Sequence, residues 1–244
     1  MSNIQEGQDK LFADRKKAVA DFDFGKETAL VFDDMLERSV PMYRELQRMI
    51  SEIAAEFAVD GTNVYDLGCS TGITMTNLMK TIKKGTAFIG LDSSQAMLDQ
   101  CDSNLAKVGK KYELICSDLN KGCVIENASV VVLNLTLQFV RPLNRDILMQ
   151  SIYHGLQEKG CLILVEKVLG NDSMFNRQFI KFYYDMKKRN GYSEIEIAQK
   201  REALENVLIP YRLSENHELL RKNGFNSTDV FYKWYNFCGI LAVK

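Results

Sequence analysis

The residues best suited to chemistry in this chain are small or polar, and they fall where apolar runs stop. Val64-Tyr65-Asp66-Leu67 gives way abruptly to Gly68-Cys69-Ser70-Thr71-Gly72, and the next apolar run, Ala87-Phe88-Ile89-Gly90-Leu91, ends on the acid Asp92. Asp118 and Asn134 close two further runs in the same manner. A loop of small residues lets the backbone approach a ligand closely, and a helix start behind it presents free N–H groups. A carboxylate at the neighbouring strand tip can accept from both hydroxyls of a ribose. The set reads as a nucleoside site. Any one of these polar residues is more often a turn former or helix cap; their succession after such a loop is what points to a ligand.

The departures from other fingerprints narrow the ligand. A dinucleotide site needs G-x-G-x-x-G, but Ser70 and Ile73 stand at the second and third glycine positions, and no G-K-S/T follows to make a P-loop. Residues 68–72 match G-x-S-x-G literally, which would make Ser70 a hydrolase nucleophile. That elbow follows a central strand with an oxyanion glycine cluster upstream, whereas the residues before Val64 read as helical and carry no such cluster. What remains is the loop of S-adenosylmethionine (SAM) enzymes, whose ligand carries an amino acid and no phosphate. Cys69 in that loop reads as a small neutral side chain rather than a nucleophile.

These residues need a sheet to hold them. The 72–82 stretch has helical periodicity and completes a β-α-β unit with 64–67 and 87–92. Ser93 and Ser94 can cap a helix carrying Met97, Leu98, Cys101 and Leu105. Strands are predicted over 112–116, 129–134 and 161–166, the second apolar enough for burial on both faces, and a helix over 143–156. Residues 171–210 then show helical periodicity without a strand and read as an insertion, its charged second half either a solvated face or a lid or subunit contact. A helix over 215–222 stopped by Asn223-Gly224 precedes two closing runs, 228–235 and 238–243, whose short link makes them antiparallel. The expected fold is α/β, Rossmann-like, with seven strands in a mostly parallel sheet and the last antiparallel. The expected division is a 1–60 arm with two helices, 29–39 and 43–57, then a 61–244 SAM-binding unit. Tyr43 lies just inside the helix opened by Pro41, and its type alone reads as packing. The first thirty residues are mostly polar, with Phe12, Phe22 and Phe24 as large apolar anchors, and read as a loose terminus rather than a cover for a pocket.

Composition bounds the rest. At 244 residues with 46% hydrophobic residues the chain can bury a full core. Lysine and arginine number 31 against 32 acids, so no basic surface for nucleic acid is expected. The six cysteines have no C-x-x-C pair and only two histidines exist, which supports neither a metal site nor a disulfide frame and fits a reducing cytoplasm. No signal peptide or apolar span of membrane length is read.

Over nearly its whole length the sequence resembles the carboxy-S-adenosyl-L-methionine synthases, relatives of methyltransferases that make the carboxylated cofactor used on the wobble uridine of certain tRNAs. The resemblance is carried by Arg38-Ser39-Val40-Pro41 with Tyr43, residues 64–70, Glu126-Asn127-Ala128-Ser129, Leu133-Asn134 with Thr136-Leu137-Gln138-Phe139, Asn190-Gly191-Tyr192-Ser193-Glu194, Gln199-Lys200-Arg201 and Leu204-Glu205-Asn206-Val207. It departs from the family pattern at Ser93, where asparagine is usual, at Met42, where glycine is usual, and over 71–76.

The resemblance implies a role for each matching position. Gly68, Cys69 and Ser70 would line the methionine portion of SAM, Asp92 and Ser93 would hold the ribose region, and Asp118 and Leu119 would read the adenine. Asn134 and Tyr43 would bound the amino-acid end. Arg201 would pair with the carboxylate of carboxy-SAM, although by residue type alone it reads as a surface arginine beside Lys200 and Glu205. The implied reaction joins SAM and prephenate to give carboxy-SAM, phenylpyruvate and water, in a cytoplasmic homodimer that touches neither nucleic acid nor membrane. The rivals are an ordinary SAM-dependent methyltransferase acting on a small molecule or tRNA, and a non-catalytic SAM-binding protein.

Overall fold

The computed structural model describes residues 7–15 and 18–244. Seven strands, β1 (Asn63–Leu67), β2 (Ala87–Asp92), β3 (Tyr112–Cys116), β4 (Ala128–Asn134), β5 (Leu156–Lys167), β6 (Ser227–Trp234) and β7 (Phe237–Val243), form one sheet in the order β3-β2-β1-β4-β5-β7-β6. All pairings from β3 across to β5 are parallel, and β7 runs antiparallel to both β5 and β6. This is the seven-stranded arrangement that the sequence predicts. The register sets Leu67 beside Leu91, Asp92 beside Cys116 and Asn134 beside Val165, so the carboxyl ends of these strands finish at one level. The strand order reverses between β1 and β4, the place where open α/β sheets leave a crevice for ligands.

Two details differ from the sequence reading. β5 begins at Leu156 rather than Cys161, because Ala128 pairs with Leu156 before an irregularity lets Val130 pair with Cys161. The final hairpin turns at Tyr235-Asn236, since Phe237 already pairs with Trp234 and Lys167.

Eight helices cover the sheet among the described residues: α1 (Lys26–Ser39), α2 (Tyr43–Phe57), α3 (Ile73–Thr81), α4 (Gln95–Leu105), α5 (Pro142–Gly155), α6 (Ser173–Arg189), α7 (Glu194–Leu204) and α8 (Leu213–Lys222). Side chains of β4 alternate between two cores, with Val130 and Val132 packed among α2, α3 and α4 on one face. Val131 and Leu133 pack among α5 and α8 on the other. All four are fully buried, which is why this strand reads as an unbroken apolar run. α4 starts where Ser94 accepts from the Met97 N–H at 3.2 Å, and α7 starts at a capping box between Ser193 and Glu196.

Over its described residues the N-terminal arm is not loose, which corrects the expectation from its polarity there; residues 1–6 and 16–17 lie outside the described residues. Phe12 stacks on Phe22, Phe24 meets Phe22 and Phe32 edge to face, and Phe24 also meets Phe139 edge to face at 5.2 Å. Gln199 donates to the carbonyls of Phe12 and Asp14, the Phe22 N–H donates to the Ala203 carbonyl, and Ser94 donates to the Phe24 carbonyl. Asp9, 2% exposed, accepts from the Tyr192 hydroxyl at 2.7 Å. A few aromatic anchors and backbone hydrogen bonds to distant helices hold down a segment whose average composition is polar.

Candidate active site

A cavity of about 510 Å³ lies over the carboxyl ends of β1 to β4, beneath the arm. Its size falls within the usual range of small-molecule sites. The floor is the loop after β1. Gly68 and Gly72 have φ of +81° and +83°, and a Cβ on Gly72 would stand 2.6 Å from the Cys101 Sγ. The N–H groups of Gly68 and Cys69 both donate to the Leu91 carbonyl, at 2.7 and 2.9 Å, so the loop is pinned to the end of β2 by backbone alone. Burial and a hydrogen bond with Cys101, the larger influence, push the Cys69 thiol up and keep it protonated. It lines the cavity as a neutral group.

Asp92 is the hinge of the electrostatics. One carboxylate oxygen accepts from the Ser70 N–H and the other from the Ser94 N–H, each at 2.9 Å. Burial raises its pKa, and these hydrogen bonds oppose the rise. Next to it Asp66, fully within the protein, is pushed up to about 7 by burial and then by the charge of Asp92. Asp118 accepts from the N–H and side-chain amide of Asn120, at 2.9 and 3.0 Å, at the start of the short turn Leu119–Lys121.

A third polar group forms around the start of α3. Asn134 and Gln47 both donate to the Thr74 hydroxyl at 3.1 Å, and Gln47 also donates to the Tyr43 hydroxyl at 3.0 Å. The acceptor oxygens left over, Asn134 Oδ1, Gln47 Oε1 and Asp66 Oδ2, are buried without a hydrogen-bond partner among the described residues. Asn134 lines the cavity whereas Gln47 and Asp66 stand behind its lining, and a ligand ammonium at Asn134 would satisfy an acceptor that is costly to leave unpaired. The chemistry of the donor set therefore fits the amino-acid end of SAM.

Tyr43, Gly68, Cys69, Ser70, Asp92, Ser93, Asp118, Leu119 and Asn134 all line this one cavity. Arg201 does not. It is exposed on α7, and within the protomer makes no ion pair or side-chain hydrogen bond among the described residues. Successive helical residues diverge by about 100°, so only one of Lys200 and Arg201 can face inward, and the inward one is Lys200. Sequence reasoning missed Lys200, Lys167 and the walls Phe24, Phe139 and Tyr183. Lys167 carried a usable signal, since it ends β5 just as Asp92 and Asn134 end their strands.

A family described as Methyltransferase domain matches residues 64–160, the stretch from β1 into β5. Solved structures agree on the fold: a SAM-dependent methyltransferase from Aquifex aeolicus superposes with a TM-score of 0.60 at 16% identity, covering 91% of this chain and 98% of that one. An O-methyltransferase family protein from Burkholderia thailandensis gives 0.65 at 13% identity, over 91% of this chain and 63% of the other. Close relatives decide the family. A carboxy-S-adenosyl-L-methionine synthase from Methylococcus capsulatus is 57% identical over 97% of this chain and 99% of its own length. The chain belongs to the carboxy-S-adenosyl-L-methionine synthases. A second synthase, from a Nitratiruptor species, is 42% identical over 97% of this chain and 98% of its own. Membership of the synthases thus spans the arm and the α6–α7 segment as well as the methyltransferase-like core, and these are the parts that close the cavity.

Proposed function

We infer that this protein converts SAM to carboxy-SAM. The observation that carries the reading is the full-length likeness to synthases of that name, 57% in the Methylococcus capsulatus case, over a chain whose strand tips converge on one cavity. Adenine would lie at Asp118 and Leu119, the ribose at Asp92 and Ser93, and the amino-acid end at Asn134 and Tyr43. Prephenate is the proposed second substrate. Its aromatisation to phenylpyruvate releases carbon dioxide and hydroxide. The sulfonium of SAM acidifies its methyl group, whose proton leaves with the hydroxide as water while the methyl carbon bonds to the carbon dioxide. The protein's share is proximity and exclusion of water, which the arm and the α6–α7 segment suit. The product would serve carboxymethylation of tRNA wobble uridine in the cytoplasm. Mass spectrometry of the ligand carried through purification tests the reading: a species one carboxyl group heavier than SAM is expected, and SAM or S-adenosylhomocysteine alone would return an ordinary methyltransferase to the front.

We further propose a homodimer in which Arg201 serves the partner's cavity. Its exposure on its own protomer requires a second copy if it is to pair with the new carboxylate. A face for that copy is offered by the ladder Phe175, Phe179, Tyr235 and Phe182, with Phe175 48% and Tyr235 43% exposed. Arg201→Leu should leave SAM affinity intact and weaken carboxy-SAM by about 2 to 5 kcal/mol, the cost of an unpaired desolvated charge. Mixing Arg201→Leu with Asp92→Ala, each impaired alone, should raise turnover above that of either variant as subunits exchange. No rise, with exchange verified, would sink the shared site.

A further inference from the structure

One wall of the cavity is basic beyond anything the fold requires. Lys167, the last residue of β5, and Lys200 of α7 both line it. Lys187 of α6 is near enough that their charges disfavour its own. The three ammoniums lie against two tyrosine rings: Lys167 is 4.8 Å and Lys187 5.6 Å from the Tyr183 ring centre, and Lys187 is 5.0 Å and Lys200 5.6 Å from that of Tyr192. Burial lowers all three, Lys187 to about 7 and the other two to about 8. Compensating acid is scarce. Asp9 Oδ2 stands 3.5 Å from Lys200 Nζ, at the edge of hydrogen-bond reach, and that oxygen already accepts from the Tyr192 hydroxyl. Glu196 contributes only through space, and Arg38 adds further positive charge on the same side. Lys200 is 6% exposed, and among the described residues the long contact with Asp9 is the ion pair its ammonium makes.

Burying cations with one shared carboxylate lowers stability, so the arrangement calls for an anion that the chain itself does not supply. SAM is a poor candidate for it. Its sulfonium is repelled by such a wall, and its own carboxylate belongs at the amino-acid end, by Asn134 and Tyr43. The co-substrate in the reading above, on which this inference rests, is a dianion. One of its carboxylates must leave as carbon dioxide, and an ammonium gripping that group would stabilise the ground state and slow the loss. The other carboxylate, on the 2-oxo-acid arm, is unchanged by the reaction and can be held throughout.

We propose that Lys200 and Lys167 bind the retained 2-oxo-acid arm of the co-substrate, while its ring faces the apolar wall formed by Leu135, Tyr183 and Phe237. Grip on the spectator carboxylate leaves the departing one ungripped against aromatic surface. The two lysines thereby select a 2-oxo-acid dicarboxylate as the source of carbon dioxide, and Lys187 reinforces the field without lining the cavity.

Phenylpyruvate, which keeps this arm and cannot react, is the probe. Calorimetric titrations would use protein saturated with S-adenosylhomocysteine, as wild type, Lys200→Met, Lys167→Met and Lys200→Arg, beside steady-state kinetics with prephenate. Methionine fills the lysine's volume, and thermal unfolding of each variant checks the fold. The expected result is a rise of about 10- to 100-fold in phenylpyruvate Kd and prephenate KM for each methionine variant. SAM Kd should move by less than about threefold, and Lys200→Arg should recover most of the loss. Phenylpyruvate binding equal to wild type in both methionine variants overturns the proposal. So does an equal loss of SAM affinity, which would assign the lysines to SAM's own carboxylate, and so does a wild type that binds no phenylpyruvate. Should wild type bind phenylpyruvate through the lysines yet fail to turn over prephenate, the subsite stands and prephenate as co-substrate falls.

Discussion

A single carboxylate, Asp92, joins the loop, the second strand and the proposed ribose position. Each of its oxygens already accepts one backbone N–H, from Ser70 and from Ser94, so the ribose hydroxyls would use the remaining lone pairs. That double duty makes two consequences of Asp92→Ala separable. Loss of two charge-assisted hydrogen bonds should weaken SAM by about 2 to 4 kcal/mol. Loss of the acceptor for two backbone donors should also lower the stability of the ligand-free protein by about 1 to 3 kcal/mol, because buried N–H groups are left unpaired. Calorimetric titration reads the first effect and urea unfolding the second. An unchanged SAM affinity alongside lowered stability would reduce Asp92 to a loop anchor and move the ribose elsewhere.

Among the elements, α2 shows what the family departure at Met42 does. Met42 precedes the helix with φ +49° and ψ +41°, left-handed geometry that costs a side-chain-bearing residue about 1 to 2 kcal/mol. Its side chain is 53% exposed, so glycine there would remove strain and little packing. Offset by glycine's greater freedom in the unfolded chain, Met42→Gly should stabilise by about 0.5 to 1 kcal/mol, or roughly 1 to 4 °C in Tm. Calorimetry decides, and a lower Tm would mean that Met42 packs against something, a second copy included. The elements themselves were largely legible: the central strands are local apolar runs, and Asp92, Asp118 and Asn134 announce themselves by following one. The arm and the lysines were not, because their partners are remote in sequence; Asp9 meets Tyr192 across 183 residues. Lys200 escaped notice for a related reason. Helix α7 buries Ile197, Gln199, Lys200 and Ala203, a face so mixed in polarity that composition does not reveal its phase.

At the scale of the whole molecule, buried titratable groups of both signs set how stability responds to pH. Burial raises Asp66 to about 7 and Glu166 to about 8. Both hold protons in the folded state that the unfolded chain gives up near pH 4, so stability falls as pH rises from about 4 toward 7 or 8. The lysines work in the opposite direction and in a different window. Lys187, Lys167 and Lys200 lose their protons in the folded state at about 7, 8 and 8. The unfolded chain keeps them until about 10.4, so stability rises between about pH 8 and 10. The ligand-free protein should therefore be least stable between about pH 7 and 8, with each net proton worth about 1.4 kcal/mol per pH unit on either side. Thermal unfolding of ligand-stripped protein at a series of pH values traces the curve, and Asp66→Asn should flatten the acid limb while Lys200→Met flattens the alkaline one. Anionic ligand should fill the minimum, since it favours the charged lysines in the folded state and binds only there. A stability that peaks near neutrality in the stripped protein would mean that these carboxyls and ammoniums neutralise one another in the fold, and that the basic wall is not waiting for an anion.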